Sequence, residues 1–309
     1  MTALITMFTL IFSLAVGFLP LYAISQSDLE REDPIRVEVE AVNLLVSVHD
    51  KTTGAFISNL SPEDFVIYEN GVRQEITNFT EETNLPLSIA LCIDTSSSVR
   101  IKLKFEKEAA SDFLFSVMTP KDKALLLEFD TAATLLHDFT SNPNKLTHEI
   151  SRLRAGGGTS LYDAVCLVSE QKLKDSEGRK VLVILSDGAD QTSVSLFDDA
   201  LRAAFQAEAA VYTISTARFG ADIDHEGDNA LRQLSSNTGG RSYFPLSTSE
   251  LSKSFKSINE ELRNQYSITY IPIDRNRDGS FRKLRVKLKY LNKLLFYRKG
   301  YFSPLETSE

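Results

Sequence analysis

The sequence predicts an α/β fold, a doubly wound and mostly parallel sheet, inserted in a small β-sandwich formed by the N- and C-terminal segments. Three features lead there. Residues 87–93 and 181–185 are apolar nearly throughout, as central strands covered on both faces are. Strands and helix-period segments alternate over 85–248. The flanking stretches instead alternate apolar and polar residues, the pattern of strands with one face on a core.

Val42, Leu44, Val46 and Val48 form such a stripe, with Leu45 breaking the polar phase. A turn at 51–54 follows. Residues 65–68 are a second β run, closed by the Asn70-Gly71 hairpin signal, and 76–79 a third. At Pro86 the pattern changes. After the strand at 87–93, Ile101, Phe105, Ala109, Phe113 and Val117 recur every four residues, the stripe of a helix lying on a sheet. Strands are expected at 124–129, 134–139, 211–215 and 241–244, and helices at 161–173, 197–208 and 229–236. Residues 251–264 read as a helix with Phe255, Ile258 and Leu262 on one side. Residues 266–273 are a strand, Asp278-Gly279 a turn, and 281–290 a strand with Leu284, Val286, Leu288 and Tyr290 inward. Two or three isolated strands are marginal. Segments 35–84 and 266–305 are therefore expected to pair into one immunoglobulin-like sandwich around the 85–248 domain, with 249–265 as the linking helix.

Residues 1–25 are a separate object, a signal peptide or an N-terminal membrane anchor. They carry no charged side chain, and 4–21 are almost wholly apolar. Ala23 and Ser25 suit a cut before Gln26. The chain is therefore expected to be exported, whether periplasmic, extracellular or tethered to a membrane through 4–21 and facing outward.

Composition narrows the function. The 34 basic and 42 acidic residues give a net charge of −8, the opposite of what a general nucleic-acid binder needs. Two cysteines exclude a disulfide-dense scaffold; Cys92 and Cys166 read as small buried apolar residues. Histidines at 49, 137, 148 and 225 form no zinc-site pattern. Residues 281–300 hold eight Lys/Arg and no acid, read as the outward side of a half-exposed strand.

The chemistry concentrates at strand ends. Asp94-Thr95-Ser96-Ser97-Ser98 follows the first apolar strand, where open α/β sheets place their ligands. A carboxylate with hydroxyls two and four residues on supplies the hard oxygens that Mg²⁺ prefers. Gly156-Gly157-Gly158-Thr159-Ser160 precedes the helix at 161, and Ser186-Asp187-Gly188-Ala189-Asp190 ends the second apolar strand. Taken singly, these segments have plainer readings: a helix cap for Asp94–Ser98, flexibility for the glycines, a cap or solvent exposure for Asp190. No GxSxG elbow and no base beside a candidate nucleophile is present, so an enzyme is not expected.

Together, DTSSS, GGGTS and SDG resemble the von Willebrand factor type A (VWA) domain, a Rossmann-like fold with a metal-ion-dependent adhesion site (MIDAS). The resemblance implies a metal site made of Asp94, Ser96, Ser98, Thr159 and Asp187, holding Mg²⁺, with Mn²⁺ or Ca²⁺ as alternatives. It further implies a non-enzymatic adhesion module whose cation captures an Asp or Glu of a partner protein. The runners-up are an envelope assembly component with a purely stabilising metal and a cryptic metal-dependent hydrolase. Residues 49–54, 60–65, 69–76, 262–266 and 298–302 extend the resemblance to the bacterial, acidobacterial-type VWFA-related family.

Overall fold

The computed structural model describes residues 41–82, 85–217, 225–290 and 292–306. The leader expected at 1–25 lies outside the described residues. Among the described residues no helix is long and apolar enough to cross a membrane.

The α/β part is built on a six-stranded sheet. Its strands are β5 (Leu87–Asp94), β6 (Lys123–Phe129), β7 (Ala133–Thr140), β8 (Arg179–Ser186), β9 (Ala210–Ser215) and β10 (Ser242–Tyr243). The spatial order is β10-β9-β8-β5-β6-β7, parallel except that β7 runs antiparallel to β6 at one edge. All eight residues of β5 are buried, which explains its continuous apolar run. Helices α1 (Leu103–Val117), α2 (Pro143–Arg152) and α6 (Thr248–Arg263) pack on one face. Helices α3 (Leu161–Val168), α4 (Phe197–Gln206) and α5 (His225–Thr238) pack on the other, α3 continuing as a π-helical turn, Ser169–Leu173.

The remaining strands are β1 (Val42–Asp50), β2 (Phe65–Glu69), β3 (Val72–Gln74), β4 (Ile76–Glu82), β11 (Gln265–Tyr270), β12 (Phe281–Leu288), β13 (Lys293–Phe296) and β14 (Gly300–Phe302). They form two four-stranded sheets, β13-β1-β11-β4 and β14-β12-β2-β3, each drawing strands from both flanks of the α/β part. Val42, Leu44, Val46 and Val48 share one buried cluster with Phe65, Ile67, Leu284 and Val286 from the other sheet.

The structure departs from the periodicity in instructive places. Ala109, Phe113 and Val117 are buried, but Ile101 is 89% exposed and Phe105 43%. Ile101 precedes α1, and Phe105 drifts off the buried face because a strict four-residue repeat gains about 40° per step on a 3.6-residue helix. Leu103, Glu106 and Ala110 complete the buried face instead. Tyr290 is exposed, because β12 ends at Leu288 before the chain turns. In the basic 281–300 stretch Lys283, Arg285 and Lys287 face outward, while three others are paired: buried Arg282 with Asp274 and Asp278, Lys293 with Asp50, Arg298 with Glu208.

A buried polar joint ties α6 to β9, β10 and β1. Glu261 accepts a hydrogen bond from Tyr212 Oη at 3.2 Å and one from Tyr243 Oη at 3.5 Å. His49 Nε2 stands 3.8 Å and Arg241 Nη1 4.0 Å from its other side. Burial pushes the Glu261 carboxyl up to about 7, against the pull of Arg241. Desolvation lowers His49 in turn.

Candidate functional site

Three loops meet at the carboxyl ends of β5 and β8, and main-chain bonds stitch them. Gly156 N donates to Thr95 O at 2.7 Å, and Ser97 N to Gly157 O at 3.2 Å. Thr159 O accepts from Gln191 N and Thr192 N, at 2.8 and 3.0 Å. Gly157 sits at φ +74°, a left-handed turn that lets this loop fold back on the first. The Asp187 loop is held from beneath. Gly188 has φ +81°, and a Cβ there would stand 2.4 Å from Gly227 O on α5.

Side chains complete the network. Asp94 is fully buried; its Oδ1 accepts from Ser96 N at 2.8 Å and its Oδ2 from Ser186 Oγ at 2.6 Å. Ser96 Oγ and Ser98 Oγ share a hydrogen bond of 2.9 Å, and Ser98 Oγ donates to Asp187 Oδ2 at 2.6 Å. Asp187 Oδ1 accepts from Ala189 N at 3.4 Å. Burial pushes Asp94 up to about 6, opposed by the bonds from Ser186 and Ser96. Four of the five expected residues, Asp94, Ser96, Ser98 and Asp187, are thus joined through neighbouring bonds. Thr159 is brought alongside by its main chain, with its side chain buried.

The expected metal centre is corrected by this arrangement. Among the described residues no group of three or more His, Cys, Asp or Glu side chains stands together to hold a metal ion. The site carries two carboxylates, and Asp94, Ser96, Ser98 and Asp187 already satisfy one another. A hard divalent cation wants about six oxygens turned on one point, whereas these are turned on each other. The assignment of Mg²⁺, Mn²⁺ or Ca²⁺ is withdrawn. Metal-dependent adhesion, capture of a partner's Asp or Glu through the cation, a purely stabilising metal and metal-dependent hydrolysis are withdrawn with it.

The described histidines are engaged elsewhere or lie on another element. His49 lies in the polar joint, bonded to Ser47 Oγ and Gly54 O, and His137 Nδ1 is engaged with Asp138 O. His148 lies on α2. None of these bonds reaches a site hydroxyl.

Two participants escape sequence reading. Ser186 binds Asp94, and its position just before Asp187 on an inward-facing strand end was the available signal. Glu106 is 1% exposed on α1, and neither carboxylate oxygen meets a hydrogen-bond partner. Burial pushes it up to about 8, with the Thr216 hydroxyl opposing and Asp94 reinforcing the shift. Its place three residues after Leu103 and four before Ala110 puts it on the buried stripe.

Comparison with known proteins agrees with the fold of the α/β part. Residues 89–189 match the family model for the von Willebrand factor type A domain. A mouse (Mus musculus) protein, inter alpha-trypsin inhibitor heavy chain 4, is 26% identical over 160 residues, which are 46% of this chain and 17% of its own length. Proximal thread matrix protein 1 from the mussel byssus superimposes with a TM-score of 0.50 at 15% identity, over 69% of this chain and 51% of that one. A second structure of the mussel protein, with a zinc-occupied MIDAS motif, gives 0.51 at 16% identity, over 63% and 49%. The chain therefore spans about half of the mussel protein and a smaller part of the mouse one. The α/β part has the VWA fold.

Proposed function

We propose that the chain is an exported, non-catalytic protein-interaction module that meets its partner with the face at the carboxyl ends of β5 and β8. In this reading Asp94, Ser96, Ser98, Thr159 and Asp187 form the rigid polar centre of the contact surface, with no cation between the proteins. The α/β domain of 85–248 is carried as an insertion in a sandwich made of 35–84 and 266–305, with 249–265 linking them, as in the acidobacterial-type VWFA-related family. The apolar stretch at 4–21 supports export by signal peptide or tether.

One observation carries the contact surface. Large apolar side chains stand bare on the loops that frame the network: Ile101 is 89% exposed on the β5–α1 connection, Val194 92% and Leu196 69% on the β8–α4 connection. Single exposed apolar residues are ordinary, but a set around one polar centre at the ligand end of an α/β sheet is the form an interaction surface takes.

Cross-linking pull-down from envelope extracts tests it, comparing wild type with Ile101→Asp/Val194→Asp. The reading expects a partner lost in the double variant at unchanged melting temperature, and retained in EDTA. Equal capture by both proteins, or capture that EDTA abolishes, contradicts it.

A further inference from the structure

A second site lies at the opposite end of the sheet. A cavity of about 270 Å³ opens where the start of β8 and the end of α5 face β1 and β11. Three cationic side chains, Arg179, Lys180 and Arg298, line it against one carboxylate, Glu208. That carboxylate offsets one of the three positive charges. Arg298 Nη1 pairs with Glu208 at 2.6 Å, but the Glu208 side chain is 61% exposed and screened by water, whereas that of Arg298 is 13% exposed.

The guanidinium is also incompletely satisfied. Arg298 Nη2 donates to Asn43 O at 2.8 Å, while Nε is buried and donates to no acceptor. A buried N–H without an acceptor is costly, and one beside surplus positive charge calls for an anionic oxygen. Lys180, whose pKa burial lowers, gives one Nζ hydrogen to Lys174 O and has two left for a ligand. The volume is too small for most organic ligands, whose pockets run from about 300 Å³ upward.

We propose that this cavity binds a small, doubly charged inorganic oxyanion of the phosphate type. Arg298 Nε and Lys180 are its donors, so the ion bridges the α/β part and the sheet of β1 and β11. The proposal is independent of the contact surface at the other end of the sheet.

Thermal unfolding of the full chain tests it, in phosphate and in chloride at matched ionic strength and pH, with isothermal titration of inorganic phosphate. Wild type is expected to melt progressively higher with the logarithm of phosphate concentration and to stay level in chloride. Arg298→Gln is expected to bind phosphate at least ten-fold more weakly. Lys180→Gln leaves the Arg298–Glu208 pair intact and is expected to fold and to weaken binding in the same direction. An equal response to chloride overturns the proposal, as does a wild-type phosphate response in both variants.

Discussion

Ser98 Oγ donates to Asp187 Oδ2 at 2.6 Å, across 89 residues of chain, and so ties the loop after β5 to the loop after β8. With Ser186 Oγ bonded to Asp94 Oδ2, the two strand ends are cross-linked in both directions by a serine of one and a carboxylate of the other. A hydroxyl bonded to a carboxylate is among the stronger neutral-to-charged contacts, at roughly 1.5–3 kcal/mol. Ser98 is exposed, so Ser98→Ala is expected at or below the low end of that range, about 1 kcal/mol. Asp94→Ala leaves the Ser186 hydroxyl hydrogen and Ser96 N without their acceptor in a buried setting and is expected to cost about 3 kcal/mol. Urea unfolding of both variants checks the order. A larger loss at Ser98 than at Asp94 contradicts it.

Gly188 is the backbone counterpart of these bonds. A Cβ at that position would meet Gly227 O at 2.4 Å while the residue holds φ +81°. Gly188→Ala is expected to destabilise by about 2–3 kcal/mol, from left-handed strain and displacement of α5. Gly156→Ala, with nothing within 4 Å of its Cβ, is the control and is expected within about 0.5 kcal/mol of wild type.

Much of this was legible beforehand, for physical reasons that differ by element. β5 and β8 announce themselves because burial on both faces leaves no polar position to confuse the pattern. β1 does so because Val42, Leu44, Val46 and Val48 keep strict alternation. Helix α2 carries little periodic signal, since only Leu146 and Ile150 face the core; its signal is local, Asn142 capping Asn144 N with Pro143 in the first turn. Strands β3, β13 and β14 have four residues or fewer and carry too little periodicity to see. At the site, residue types and strand ends were readable, and so was their convergence. Which oxygen faces which was not, because one serine rotamer decides whether a carboxylate meets a hydroxyl or an ion.

The joint at Glu261 makes stability depend on pH. The folded carboxyl is held up to about 7 by burial, above its ordinary 4.5. The protonated form is therefore the one that folding favours. Its contribution is fully present below about pH 4.5 and is lost as pH rises through 7. The loss is at most roughly 3 kcal/mol, from about 1.36 kcal/mol per pH unit. Glu261→Gln is expected to make the stability profile between pH 5 and 8 shallower, the remaining slope belonging to Glu106 and Asp94, and to melt above wild type at pH 8. A variant that keeps the wild-type slope assigns the dependence elsewhere.

The exposed rim makes a prediction of the opposite kind. Ile101→Asp and Val194→Asp alter side chains that are 89% and 92% exposed, so each is expected within about 0.5 kcal/mol of wild type by urea unfolding. A substantial loss at either position means that the loop is packed rather than offered to a partner.

The central claim is that the oxygens of Asp94, Ser96, Ser98 and Asp187 satisfy one another rather than an ion. Calorimetric titration of the purified chain with Mg²⁺ and Mn²⁺, repeated on Asp94→Ala, puts the question most directly. The expected result is no saturable heat in either protein. Saturable uptake by wild type that disappears in Asp94→Ala contradicts the account and restores a metal to the site.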